Sequence, residues 1–147
     1  MAAYGAAMTS DTDIRQILDS TKVIALVGFS NKPDRASHKV AKFLAERGYR
    51  VIPVNPGLAG QAFMGEAIVA DLADIPKDAH VDMLDVFRRS EHVQPVVEAG
   101  LKALPDLRTI WLQIGVTSAD AARISAEKGL AFVEDRCPKQ ELERLVS

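Results

Sequence analysis

The strongest constraint on this chain is a rhythm. Short, unbroken apolar runs end at turn residues, and each is followed by a stretch of helical periodicity. Val23-Ile24-Ala25-Leu26-Val27 stops at Gly28. Five apolar residues without polar alternation fit a strand covered on both faces, the way a parallel sheet reads. Residues 37–47 follow as a helix, with Val40, Phe43 and Leu44 inward and Gly48 as its stop. Arg50–Val54 is a second strand, closed by Asn55-Pro56-Gly57, and residues 81–86 form a third. Val93, Val96, Val97, Gly100, Leu101 and Leu104 then make one continuous helical stripe, with Pro95 in the first turn, where a missing N–H costs little. Thr109–Leu112 is a strand, Ser118 caps a helix to Lys128, residues 131–134 form a last strand, and Pro138–Val146 is a helix with Leu142, Leu145 and Val146 inward. Strands alternating with helices imply right-handed crossovers and one domain: an α/β, Rossmann-like open parallel β-sheet with helices on both faces.

The rest of the chain is less regular. Residues 1–10 read as a loose, flexible tail, so the domain is expected over 11–147, starting with a short helix capped by Ser10 or Asp11 and carrying Ile14, Ile17 and Leu18 on one face. The stretch 58–77 shows no clear period beyond a helical turn near Asp71 to Ile75. With 147 residues the chain suits one core of its own. Eighteen basic and twenty acidic residues leave a net charge of -2, which argues against a nucleic-acid partner that needs surplus cations for phosphates. No apolar run reaches the roughly 18 residues of a membrane span, and the first ten residues lack the basic start and apolar stretch of a secretory signal. A lone cysteine, Cys137, excludes an internal disulfide and a zinc site built on cysteine pairs. These features suggest a cytoplasmic protein.

Sheets of this kind bind ligands beyond the carboxyl ends of their strands, where the strand order reverses. After the first strand the chain reads Gly28-Phe29-Ser30-Asn31-Lys32-Pro33-Asp34-Arg35-Ala36-Ser37-His38-Lys39. A glycine turn leading into a helix start offers free backbone N–H groups and a favourable dipole to an anion. Lys32, Arg35 and Lys39 add positive charge against Asp34 alone, and Ser30 and Ser37 add hydroxyls. The competing reading is an ordinary connecting loop with a solvated charge cluster. Only Gly28 stands where a dinucleotide fingerprint needs three glycines, and the second strand ends in Asn55 where an NAD site wants a carboxylate. No phosphate-binding loop of the nucleotide-hydrolase type is present. Further strand ends bring Phe87 and Arg88, then Gln113, Ile114 and Gly115. Arg88 can reach a phosphate, whereas Arg89 is read as facing solvent. Gln113 offers a donor and an acceptor, and Gly115 permits close backbone approach.

Taken in order, these segments resemble the small stand-alone CoA-binding proteins, the YccU-like family. The matching stretches are Val27-Gly28-Phe29-Ser30-Asn31-Lys32-Pro33-Asp34-Arg35, Gly48-Tyr49-Arg50-Val51-Ile52-Pro53-Val54-Asn55-Pro56, Asp85-Val86-Phe87-Arg88-Arg89, Trp111-Leu112-Gln113-Ile114-Gly115-Val116 and Asp135-Arg136-Cys137-Pro138-Lys139. The resemblance spans about residues 12–146. That family is similar in fold to the N-terminal domain of the succinyl-CoA synthetase α subunit, which implies a CoA or acyl-CoA ligand here. Carried over, the loop role falls on Gly28, Ser30, Asn31 and Lys32, with Arg35 and Ser37 beside them. The second-strand role falls on Asn55 and Pro56, and the later roles on Phe87, Arg88, Gln113, Ile114 and Gly115. The synthetase has a lysine shortly after its second-strand proline, where this chain has Gly57-Leu58. It also uses a phosphorylated histidine from another domain, so its ligase activity does not carry over. The resemblance implies a binding protein acting as carrier, sensor or regulator. Two alternatives stand beside it: an enzyme using acyl-CoA through Cys137 or a partner subunit, and an NADP-type nucleotide module.

Candidate catalytic groups are sparse. His38 reads as an exposed helix-start histidine that a phosphate can meet, and His80 and His92 have no partner at metal-ligand spacing. Cys137 reads as a buried, inert thiol ahead of Pro138. Asp85 lies near a strand's carboxyl end, placed to orient Arg88 or a loop amide. Phe63, Met64 and Ile68 offer either core packing or a surface for a protein partner or a second copy.

Overall fold

The computed structural model describes residues 10–146. The expected tail lies outside the described residues apart from Ser10, and the inward turn of Val146 lies outside the described side chains. Helix α1, Asp11–Ser20, is capped by Ser10, whose hydroxyl accepts the Asp13 N–H at 3.1 Å. Strand β1, Val23–Val27, leads through the 28–35 loop to α2, Ala36–Glu46, which closes at Gly48 with φ +101°. Strand β2, Arg50–Val54, follows. The irregular stretch contains a small antiparallel ribbon of β3, Ala62–Phe63, and β4, Glu66–Ala67, then tight turns at Leu72–Asp74 and Lys77–Ala79. Strand β5, Met83–Val86, precedes a turn at Ser90–His92 and α3, Val93–Ala103. Strand β6, Thr109–Leu112, helix α4, Ala119–Glu127, strand β7, Ala131–Val133, and helix α5, Pro138–Val146, complete the chain.

Five strands form one parallel sheet in the order β2-β1-β5-β6-β7. The chain builds outward from β1 to β2, then crosses back to lay β5 on the other side of β1. The reversal point therefore lies between β1 and β5. Alternate strand residues feed two cores. Ile24, Leu26, Val51, Met83, Trp111 and Val133 pack with Ile14 and Leu18 of α1, Val40 and Leu44 of α2, and Leu142 of α5. Ala25, Val54, Leu84, Val86, Ile110 and Phe132 pack with Val93 and Val97 of α3 and Ala121 and Ile124 of α4. Helices thus cover both faces, and strands buried on both sides explain the unbroken apolar runs.

Two expected strand boundaries shift, while α2 begins and ends one residue earlier than expected and α4 ends one residue earlier. Strand β5 starts at Met83, not at residue 81, after His80 takes a left-handed turn at φ 57°, and the Asp82 carboxylate accepts the N–H groups of Lys22 and Val23 at the base of β1. Strand β7 ends at Val133, because Glu134 turns to accept the Ser118 N–H at 3.1 Å and holds the start of α4.

Candidate functional site

The carboxyl ends of β1, β2, β5 and β6 gather the predicted residues along one edge of the sheet. Gly28, with φ +90°, ends β1 against the backbone that follows β5. A Cβ there would sit 2.1 Å from the Phe87 carbonyl oxygen. Only glycine allows both that backbone angle and that approach. The loop beyond is tied in a compact coil. The Ser30 N–H donates to Ser37 Oγ at 3.0 Å, and the Lys32 N–H donates to Ser30 Oγ at 3.2 Å. The coil encloses a hollow of about 330 Å³ lined by Gly28, Ser30, Lys32, Arg35, Ser37 and Phe87. Helix α2 opens here, and its N-cap residue Arg35 makes no side-chain cap bond. Lys32, Arg35 and Asn31 are exposed, and among the described residues neither Lys32 nor Arg35 forms an ion pair. The first-turn amides of α2, the two hydroxyls and the unneutralised cations around one hollow give it the chemistry of an anion cradle.

His38 departs from the exposed reading. Its Nδ1 lies 3.0 Å from the Ser30 carbonyl oxygen, and its ring packs on Phe29 and Phe63 at centroid distances of 5.6 and 5.1 Å. The β3–β4 ribbon puts Phe63 on that ring, a contact with no local sequence signal. Ile68 is buried and Met64 exposed, so the trio does not form one apolar surface.

Asn55 spends its side chain on the fold. Its Nδ2 donates to the Phe29 carbonyl at 2.6 Å, and its Oδ1 accepts the Gly57 N–H at 2.8 Å. It brackets the end of β2 to the loop after β1. Pro56 beside it is exposed. Both line a second cavity of about 720 Å³ whose apolar walls include Val27, Val54, Leu72, Val96 and Ala99. Gly28 lines this cavity too, so it joins the anion cradle at that residue. Arg88, exposed and without an ion pair among the described residues, borders the cavity together with Lys77, His92 and Lys102. Sequence reasoning did not name Lys77, His92 or Lys102 as site residues. They come from an irregular turn and from the rim of a helix whose stripe advertised only its core face.

At the β6 end, Ile114 is 54% exposed while Gln113 is buried and its Oε1 finds no partner. The Gly115 N–H donates to Asp135 Oδ1 at 2.7 Å, so its amide serves the fold. Asp135 is a residue the strand-end argument overlooked. Asp85 also differs from expectation. It is fully buried on the central strand β5 in register with Leu26 and Trp111, and neither carboxylate oxygen makes a hydrogen bond. It therefore orients neither Arg88 nor a loop amide, and burial pushes its carboxyl well above the usual carboxylate range. Cys137 is buried just ahead of α5. Among the described residues no cluster of His, Cys, Asp and Glu has the geometry of a metal site, and no helix is long and apolar enough to cross a membrane.

The family described as the CoA binding domain matches residues 22–143. The chain belongs to this CoA-binding domain family. YneT of Bacillus subtilis (strain 168) is 38% identical to it over 130 residues, covering 88% of this chain and 92% of YneT. A solved Thermus thermophilus structure is 36% identical, with a TM-score of 0.85 over 93% of this chain and 99% of that one. The dinucleotide-forming acetyl-coenzyme A synthetase 1 of Ca. Korarchaeum cryptofilum is 25% identical, with a TM-score of 0.52, over 62% of this chain but 19% of the synthetase. A CoA-binding domain thus fills most of this chain, whereas its counterpart in the synthetase is one part of a much longer enzyme.

Proposed function

We propose that residues 11–147 bind coenzyme A or an acyl-CoA at the carboxyl ends of the strands, as a non-catalytic carrier, sensor or regulatory protein of the cytoplasm. The observation that carries this reading is the junction at Gly28, where an anion cradle meets an apolar cavity. CoA has the matching division, with a pyrophosphate between an adenosine and a long pantetheine arm. The pyrophosphate suits Ser30, Asn31, Lys32, Arg35, Ser37 and the start of α2. The adenosine suits the cavity beside Asn55 and Pro56, because ribose lies at the end of the second strand in sheets of this kind. The arm then runs across Phe87 toward Gln113, Ile114 and Gly115.

A carrier or sensor reading is favoured over thiol catalysis by the setting of Cys137. It is 6% exposed, and among the described residues no base is hydrogen-bonded to its sulfur. A poised nucleophile needs access and a base. The reading is tested by thermal unfolding and calorimetric titration with CoA, acyl-CoA and NAD. At about a hundred times the dissociation constant, CoA stabilises by roughly 2.7 kcal/mol. That raises the melting temperature by about 5–10 °C for a chain of this size. Absence of both shift and heat with CoA and acyl-CoA refutes it, as does tighter binding of NAD.

A further inference from the structure

Resting on that reading of the crevice, we infer that Arg88 and His92 read the 3′-phosphate on the CoA ribose, so that the site selects a ribose carrying a phosphomonoester over one with a free diol. The second strand ends without a carboxylate. A free diol is held by a carboxylate that accepts both hydroxyls. Asn55 stands in that place, and its oxygen and nitrogen already bond Gly57 and the Phe29 carbonyl. The charge around the cavity has the opposite sign. Arg88, Lys77 and Lys102 border it against one carboxylate, Asp71, and the His92 imidazole adds a hydrogen-bonding group. Such a site gives a bare ribose little and a ribose phosphate charge-assisted hydrogen bonds.

Position separates these four side chains. A ribose is joined directly to the pyrophosphate, so its 3′-phosphate stays close to the anion cradle. Arg88 follows Phe87, whose carbonyl faces Gly28 across the junction of the two hollows, and His92 is the N-cap residue of α3 at the same end. Lys102 lies ten residues further along α3, about 15 Å down the helix axis. Lys77 stands in the turn that precedes β5, away from the strand ends. The pair beside the junction is therefore the reader, with Lys102 further along the cavity wall and Lys77 in the turn before β5. No lysine follows Pro56 at the end of β2, where the chain reads Gly57-Leu58. Here the charge comes from across the crevice.

The test is calorimetric titration of the full chain with CoA and with 3′-dephospho-CoA. Wild type is expected to prefer CoA by about tenfold or more. The double variant Arg88→Gln with His92→Gln loses more affinity for CoA than for 3′-dephospho-CoA and so brings the two together, and Lys77→Gln with Lys102→Gln keeps the preference. All four side chains are exposed, so both variants are expected to fold, and far-UV circular dichroism checks this. Equal wild-type affinities overturn the inference and leave the CoA reading standing. So does a preference that survives the Arg88/His92 variant or vanishes in the Lys77/Lys102 variant. Wild type that binds neither ligand, or binds NADP more tightly, overturns the CoA reading itself.

Discussion

Gly28→Ala probes the junction on which the site is built. The new methyl would stand 2.1 Å from the Phe87 carbonyl oxygen and 2.9 Å from its carbon, at a backbone φ of +90°. The backbone angle alone costs an L residue roughly 1–2 kcal/mol. Forcing apart the backbones beyond β1 and β5 adds about 1–3 kcal/mol, the range for overpacking. Gly48→Ala is the internal control. Its φ is +101°, yet nothing lies within 4 Å of the added carbon, so only the backbone part applies. Urea unfolding followed by the fluorescence of Trp111, the chain's only tryptophan and fully buried, reads both variants. Gly28→Ala should lose roughly 3 kcal/mol and Gly48→Ala roughly half of that. At about 2–4 °C per kcal/mol, the first melts about 6–12 °C lower. Moving Phe87 also distorts the cradle, so CoA affinity should fall in Gly28→Ala and hold in Gly48→Ala. Equal losses in the two variants, with CoA binding intact in both, would refute the close-approach argument.

Other substitutions test separate parts of the structure. Burial holds the Asp85 carboxyl well above its ordinary range, so its neutral form belongs to the fold. The stability that comes with the proton is complete below the unfolded pKa of about 3.9 and is lost as pH rises toward the folded value. Asp85→Asn, which cannot ionise, should therefore gain on wild type by about 1.4 kcal/mol per pH unit from pH 4 upward while the folded chain keeps its proton. Urea unfolding at several pH values measures the gap, and a gap independent of pH contradicts the account. Asn55→Ala removes the bond that ties β2 to the loop after β1 and the one that holds the turn at Gly57. A loss of about 1–3 kcal/mol is expected, together with faster amide exchange at Gly57, and an unchanged exchange rate counts against the bracket. Trp111→Phe keeps one aromatic ring but loses the rest of the buried indole, including the 2.8 Å bond from Nε1 to the Arg136 carbonyl. It should cost about 1–3 kcal/mol by chemical denaturation, and a loss near zero means that this carbonyl is satisfied elsewhere.

The sheet was legible because its strands are buried on both faces. That burial forces unbroken apolar runs such as residues 23–27, and Gly28 and Asn55-Pro56 then mark where they stop. The edge carrying the candidate residues followed from that order. What stayed hidden depended on contacts between distant segments. The β3–β4 ribbon turns through Met64 and Gly65, both with positive φ, and methionine there gives none of the usual hairpin signal. His38 looked free until the ribbon laid Phe63 on its ring. Asp85 looked like a strand-end group because spacing along the chain does not show which layer its side chain enters. Asn55 stood where a ligand group was expected, and only the fold shows that its side chain is engaged with Phe29 and Gly57.

The most direct measurement is a crystal structure of the chain soaked with coenzyme A. The account predicts the pyrophosphate in the hollow between Ser30 and Arg35, the adenosine beside Asn55, and the arm directed toward Gly115. Ligand density in the hollow of about 560 Å³ at the opposite edge of the sheet, among Asp82, Arg108 and Lys128, with the Gly28 crevice unchanged, would contradict it.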